Sequence, residues 1–203
     1  TIAVVVPAYN EEKQIGQVID TMPEFVDRIV VVNDNSPDST ADIVKQYIEQ
    51  DEKETIKIPS VLNDIQKKTK YNRADWMVQE QMKKELELFP ASEIVNEADA
   101  EHNRIILINQ KKNQGVGAAI ARGYKWCKDH GIDCTAVMAG DGQMDPDELE
   151  KICRPVVEEG IDYVKGNRLI HRSSLFVIPK VRYFGNSILS ILTKIASGYW
   201  HVS

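Results

Sequence analysis

The sequence predicts an α/β domain built on a mostly parallel, doubly wound sheet with helices on both faces. Three observations lead there. Short, uninterrupted apolar runs rich in Val and Ile recur along the chain, as in "IAVVV" at 2–6 and "RIVVVND" at 28–34. Strands buried on both faces read this way, without polar alternation. Each run is followed by a segment with apolar residues at helical spacing, and strand–helix alternation argues a parallel sheet joined by crossovers. Polar and glycine-rich stretches stand directly after the apolar runs, where open sheets of this kind bind ligands.

The elements follow in order. After the first strand, "NEEKQIGQVIDTM" places Ile15, Val18, Ile19 and Met22 on one helical face. After the second, "DSTADIVKQYI" reads as a helix with Ser or Asp placed to cap it. "RIILIN" at 104–109 is a third strand, and "GVGAAIARGYKWCKDHG" a helix closing on Gly131. "CTAVMAGD" is the fourth strand. Asp145 followed by Pro146 marks the next helix start. "DYVKGNRL" is expected as a fifth strand. The late stretch "YFGNSILSILTKIASGYW" gives an amphipathic helix through Ile188, Leu189, Ile191, Leu192 and Ile195. Core packing is the favoured reading of that face, and contact with a membrane surface the alternative.

A polar tract at 50–103 interrupts this order. Val78, Met82, Leu86 and Phe89 recur at helical spacing, so the tract is expected to be a partly helical insertion on the sheet edge. The chain of 203 residues thus reads as a single domain, 1–203, carrying that insertion.

Composition narrows the function. A net charge of −6 argues against general nucleic-acid affinity, so phosphate would have to be held locally. Cys127, Cys134 and Cys153 include no CxxC pair and read as reduced, mostly buried thiols of a cytoplasmic protein. No signal-peptide pattern precedes the first strand. No run of about 18 uninterrupted apolar residues suggests a membrane span.

The strand ends hold the chemistry. Pro7, Ala8, Tyr9, Asn10 and Glu11 follow the first strand; Asn33, Asp34, Asn35, Ser36 and Asp38 the second; Asn113, Gly115 and Gly117 the third; Asp141, Gln143 and Asp145 the fourth. Gly166, Asn167 and Arg168 follow the fifth. A nucleobase needs a planar partner and an acceptor for its ring N–H, which Tyr9 and Asp34 supply. A diphosphate in a cleft needs cations. A hard divalent ion held by one or two protein oxygens answers that need, and Asp141 with Gln143 offers them. Each residue also has a plainer reading. Asp34 fits a turn, Asp145 a helix cap, Gly115 and Gly117 close helix–strand approach, and Arg122 a surface or ion-paired position. Asp147 and Glu148 suit the dipole of a first turn. The four histidines show no metal spacing.

The blocks "VVVPAYNEEKQIGQVI", "IVVVNDNSPDSTADI", "NQGVGAAIARGYK", "AGDGQMDPDEL" and "KGNRL", in this order, resemble family 2 glycosyltransferases with the GT-A fold. They are most similar to the branch containing dolichyl- and polyprenyl-phosphate sugar transferases. The resemblance implies a nucleotide-sugar site of Pro7, Ala8, Tyr9, Glu11, Asp34, Gly115 and Asp141, and Mg2+ or Mn2+ on Asp141 and Gln143. It implies catalytic roles for Asp141 and for Arg168, facing the phosphates. The implied reaction moves a hexose, with inversion, from a UDP- or GDP-sugar to a lipid-phosphate or glycan acceptor, at the cytoplasmic face of a membrane.

Two positions depart from the family pattern. Ala139 stands where the first carboxylate of Asp-x-Asp is common, and Asn33 where an Asp precedes Asp34. The acceptor-side block, where members carry a catalytic base, would begin beyond Ser203, which implies a domain cut short on its C-terminal side. A transferase acting on a sugar hydroxyl and a non-catalytic nucleotide-sugar binder are the alternatives. A nucleotidyltransferase is disfavoured because its Gly- and Arg-rich first loop with a following Lys is missing.

Overall fold

The computed structural model describes residues 1–51, 69–96, 102–166 and 180–198. The chain divides into two compact units, Thr1–Ile161 and Asp162–Ser203. The first holds a five-stranded sheet in the order β3-β4-β2-β1-β5. Its strands are β1 (Ile2–Ala8), β2 (Arg28–Asn33), β3 (Ser92–Ile94), β4 (Ile105–Gln110) and β5 (Cys134–Val137). β1 pairs in parallel with β2 and β5, and β2 with β4; β3 alone is antiparallel, against β4. The Rossmann-like α/β architecture expected from the sequence is therefore present.

Side-chain alternation along the strands builds two core layers. Val4, Val6, Ile29, Val31, Ile105 and Leu107 face one side. There they meet α1 (Ile15–Asp20), α2 (Thr40–Gln50) and α5 (Leu149–Glu159), through residues such as Ile15, Val44 and Leu149. Val5, Val30, Val32, Ile106 and Ile108 face the other side, against Ala119, Trp126 and Cys127 of α4 (Val116–Asp129). Each buried Val or Ile contributes roughly 1.5–3 kcal/mol before chain entropy is counted. Two-sided burial is the reason these strands show no polar alternation.

The glycine that lets α4 approach the sheet is Gly123. A Cβ there would overlap Val5 Cγ1 and stand 2.9 Å from Cγ2. Close approach was expected of Gly115 and Gly117, yet a Cβ at either would meet nothing within 4 Å. Gly115 instead has φ +87 at the start of α4. Gly131 ends the helix in the left-handed region, as expected.

The insertion does pack on the sheet edge. It supplies β3 and the helix α3 (Arg73–Leu86). Its inward face differs from the expected one: Gln79 is buried, whereas Val78 is exposed. Glu85 meets Lys128 at 3.0 Å and Lys125 at 3.4 Å, and Lys125 also pairs with Asp129 at 2.5 Å. Arg122, expected on the surface or in an ion pair, is buried and donates from Nε to Ser92 Oγ of β3 at 2.8 Å. One side of α4 thus receives the insertion.

All three cysteines are free and buried, and burial pushes the Cys127 thiol up to about 12. In the second unit, residues 162–166 form no strand, and the rest of the expected fifth strand lies outside the described residues. That unit contributes α6 (Lys180–Ser197). Its Ile188, Leu189, Ile191, Leu192 and Ile195 are exposed, so the core packing expected of this face is not found among the described residues. No helix among the described residues is long and apolar enough to cross a membrane.

Candidate active site

The strand order reverses at β1: β2 and β4 extend to one side, and β5 lies on the other. The crevice beyond the carboxyl ends at such a switch point is where doubly wound sheets bind ligands. Two consecutive residues of β1 fix both walls. The Pro7 carbonyl accepts the Gly140 N–H at 3.2 Å, and the Ala8 carbonyl accepts the Asp34 N–H at 2.9 Å. Pro7 and Ala8 are themselves buried, so their contribution to the site is to hold its two sides.

The β5 wall is built by extending the ladder past the strand proper. Met138 N–H donates to Val5 O at 3.0 Å before Gly140 reaches Pro7. A Cβ on Gly140 would lie 3.1 Å from Pro7 O and 3.3 Å from Ala8 Cβ, so glycine permits the approach. Asp141 then emerges beside the end of β1, half-buried. Its Oδ1 accepts the Gln143 N–H at 3.0 Å across Gly142, which has φ +68. Asp145 performs the capping role: its Oδ1 accepts the Asp147 N–H at 3.0 Å ahead of a 3-10 turn, Pro146–Glu148, that leads into α5. Gln143 is exposed beside Asp141.

Across the crevice, Tyr9 is 46% exposed, so its ring is not part of the core. Glu11 is half-buried. Its carboxyl is raised above the usual range by burial first, then by the negative charges of Asp141 and Asp38. The Asp141 charge is therefore felt at Glu11. Asp38 is fastened to α2, accepting from Thr40 N at 3.1 Å and Thr40 Oγ1 at 2.6 Å. The Glu11 N–H in turn donates to Thr40 Oγ1 at 2.9 Å.

The β2 wall is a lattice of short side chains. Asn33 and Asn109 are register partners in β2 and β4, and Asn33 Nδ2 donates to Asn109 Oδ1 at 3.0 Å. Asn33 Oδ1 accepts the Ser36 N–H, while Ser36 Oγ accepts the Asn10 N–H, both at 3.1 Å. Asn10 and Asn35 have φ of 59 and 57, and among the described residues no other non-glycine residue has positive φ. Backbone held in this region clusters at functional sites. Asp34 is 3% exposed, and its two oxygens accept the N–H groups of Gln114 at 3.0 Å and Gly115 at 2.7 Å.

Sequence reasoning placed Asn10 and Ser36 at the strand ends but missed their contact, and it missed Asn109 and Gly140. Their signal lies in cross-strand register and loop-to-loop contact, which the linear text shows only once the strands are aligned. Arg168 lies outside the described residues.

The donor set suits a hard cation bound by few protein oxygens. The Asp141 charge acts on the Glu11 carboxyl, and a cation held there would offset that repulsion. Among the described residues no group of three His, Cys, Asp or Glu assembles a full ligand cage. A cation held by Asp141 and Gln143 would need most of its ligands from outside the protein.

A mostly parallel α/β sheet with an acidic rim at its switch point is consistent with the Rossmann-like GT-A fold. The chain belongs to glycosyl transferase family 2, whose model matches residues 3–61 and 90–202. The unmatched stretch contains α3. Among its relatives is a UDP-N-acetylglucosamine–dolichyl-phosphate N-acetylglucosaminyltransferase of Methanococcus voltae, 26% identical over 98% of this chain and 64% of that protein. An uncharacterized protein of Methanocaldococcus jannaschii is 26% identical over 98% of this chain and 59% of its own length. A dolichyl-phosphate beta-glucosyltransferase of Trichomonas vaginalis is 27% identical over 73% of this chain and 31% of its own. The chain spans less than two thirds of each of these relatives.

Proposed function

We propose that this chain is the catalytic domain of a metal-dependent, inverting hexosyltransferase that uses a UDP- or GDP-sugar and a polyprenyl-phosphate acceptor. The observation that carries this reading is the position of Asp141 at the β1–β5 switch point, coupled to Glu11 beside the exposed ring of Tyr9. The names of two relatives, both dolichyl-phosphate sugar transferases, support the acceptor class.

In this mechanism Tyr9 offers a planar face to the base, while the rim fixes the diphosphate end against β5. Asp141 and Gln143 would hold Mg2+ or Mn2+, which supplies charge stabilisation to the departing diphosphate. An acceptor phosphate oxygen attacks the anomeric carbon as the bond from that carbon to the diphosphate oxygen breaks. The configuration inverts, and the nucleoside diphosphate leaves with the bonding pair. A phosphate acceptor is already anionic and needs no strong base, unlike a sugar hydroxyl. Arg168 is proposed to face the phosphates. The exposed apolar side chains of α6 suit contact with the cytoplasmic face of a membrane.

Incubation of the full chain with Mn2+ or Mg2+, radiolabelled nucleotide sugars and extracted polyprenyl phosphate should yield a labelled glycolipid. Absence of both transfer and donor hydrolysis with every common donor would overturn the reading. Ala139 favours one second reading, a binder without turnover. Calorimetry separates them, since tight UDP binding that ignores the metal belongs to the binder.

A further inference from the structure

We infer that Ser36, Asp38 and Thr40 are positioning residues that grip the loop after β1 and fix the stance of Tyr9 in the donor crevice. The inference rests on the nucleotide-sugar reading above and deepens it. Behind it stands a run of contacts between two loops.

Three successive N–H groups of the loop after β1 point to the start of α2. Asn10 N–H donates to Ser36 Oγ at 3.1 Å, Glu11 N–H to Thr40 Oγ1 at 2.9 Å and Glu12 N–H to Asp38 Oδ2 at 3.2 Å. They lie ahead of α1, which begins at Ile15, where N–H groups have no carbonyl of a preceding turn to bond. The grip is returned, since Ser39 N–H donates to Glu12 Oε2 at 3.3 Å. On the other side of Tyr9, the Ala8 carbonyl is held by the Asp34 N–H. Tyr9 therefore stands between two anchored residues while its own ring is exposed.

Thr40 is the centre of the grip. Its side chain is fully buried, and its hydroxyl donates to Asp38 Oδ1 at 2.6 Å. With the proton committed there, the oxygen is left to accept from Glu11. Asp38 completes the unit, because its other oxygen takes Glu12. Asn10 has φ 59, so the chain turns sharply just after Tyr9, in a conformation that Asn tolerates better than most residues. A loop fixed at so many backbone groups brings its side chain to the ligand already ordered, which lowers the cost of binding.

The test measures UDP and GDP affinity by calorimetry with Mn2+, together with Tm. The variants are Thr40→Val and Thr40→Ser, each made with and without Tyr9→Ala. Thr40→Val keeps the shape and removes both hydrogen bonds of the hydroxyl. It should weaken the nucleotide that wild type binds by about tenfold. Thr40→Ser keeps the hydroxyl and should restore affinity to within about twofold. In the Tyr9→Ala background, Thr40→Val should cost less than about twofold, because it acts through that ring. A lower Tm with unchanged affinity, or an equal loss in both backgrounds, overturns the inference.

If Thr40→Val does not fold, Ser36→Ala takes its place, since it frees only the Asn10 N–H. It should weaken binding about threefold, again only when Tyr9 is present. Unchanged affinity there overturns the inference as well. Wild type that binds neither nucleotide, or binds as well after Tyr9→Ala, sinks the functional reading first, and the inference with it.

Discussion

The rim of the sheet and the insertion at its edge are attached by different chemistry. On the rim, side chains catch backbone N–H groups: Asp34 those of Gln114 and Gly115, Asp38 that of Thr40, Asn33 that of Ser36. The insertion is held by a three-residue strand and by side-chain pairs onto α4, chiefly Glu85 with Lys125 and Lys128, and Arg122 with Ser92. A side chain bound to backbone fixes the path of a loop; a pair of long side chains fixes only proximity. The rim is therefore preorganised, as a site for charge development needs to be. The insertion is docked, and its helix falls in the stretch that the family model leaves unmatched.

This contrast can be broken in several places. The largest effect is expected from Asp141→Ala, which should lower transfer by about a hundredfold or more, near 3 kcal/mol. Its Tm should stay at the wild-type value, because the side chain holds only the Gln143 amide. A Tm loss matching the activity loss would make Asp141 a structural residue.

Next comes Lys125→Met. Lys125 and Asp129 are both buried, so removing the cation strands a carboxylate and should cost about 3 kcal/mol in urea unfolding. Lys125→Met with Asp129→Leu should recover most of that. A double variant as unstable as the single one would contradict this account of the pair.

Glu85→Gln should act more locally. Lys128 and Lys125 hold the Glu85 carboxyl below the usual carboxylate range, the hydrogen bond from Lys128 contributing most. Amide exchange should quicken in α3 and β3 while nucleotide affinity stays within about twofold. A larger fall in affinity would mean that the insertion and the rim are coupled through α4.

The smallest effect is a pH dependence at Glu11. Its folded carboxyl titrates above the unfolded value of 4.5, so the folded state binds more protons across that window. Stability contributed by the protonated form is lost as pH rises through it. Glu11→Gln should therefore raise Tm slightly at neutral pH and leave it unchanged below pH 4. Bound Mn2+ should shrink the difference by relieving the same repulsion.

Much of this arrangement was readable in the linear text. The continuous Val and Ile runs marked strands buried on both faces. Asp145 before Pro146 marked the cap found ahead of α5. Asp141, Glu11 and Tyr9 were placed together because strand ends converge in any doubly wound sheet. Less was readable where register or packing decides. Val78 fits the helical period of α3 but is exposed, while Gln79 is buried and Glu85 meets Lys125 of α4. Gly123 looked like one more helix residue until Val5 was found beneath it.

The sequence by itself determined the four parallel strands, the helices between them and the carboxylates of the rim, because apolar period and strand-end chemistry are local properties. Only the tertiary structure decided what those carboxylates touch. Asp34 lies beneath the loop of α4, and Asp141 at the open edge of β1, because parallel pairing fixes which strand ends are neighbours. Burial then determines which oxygens are left for a ligand.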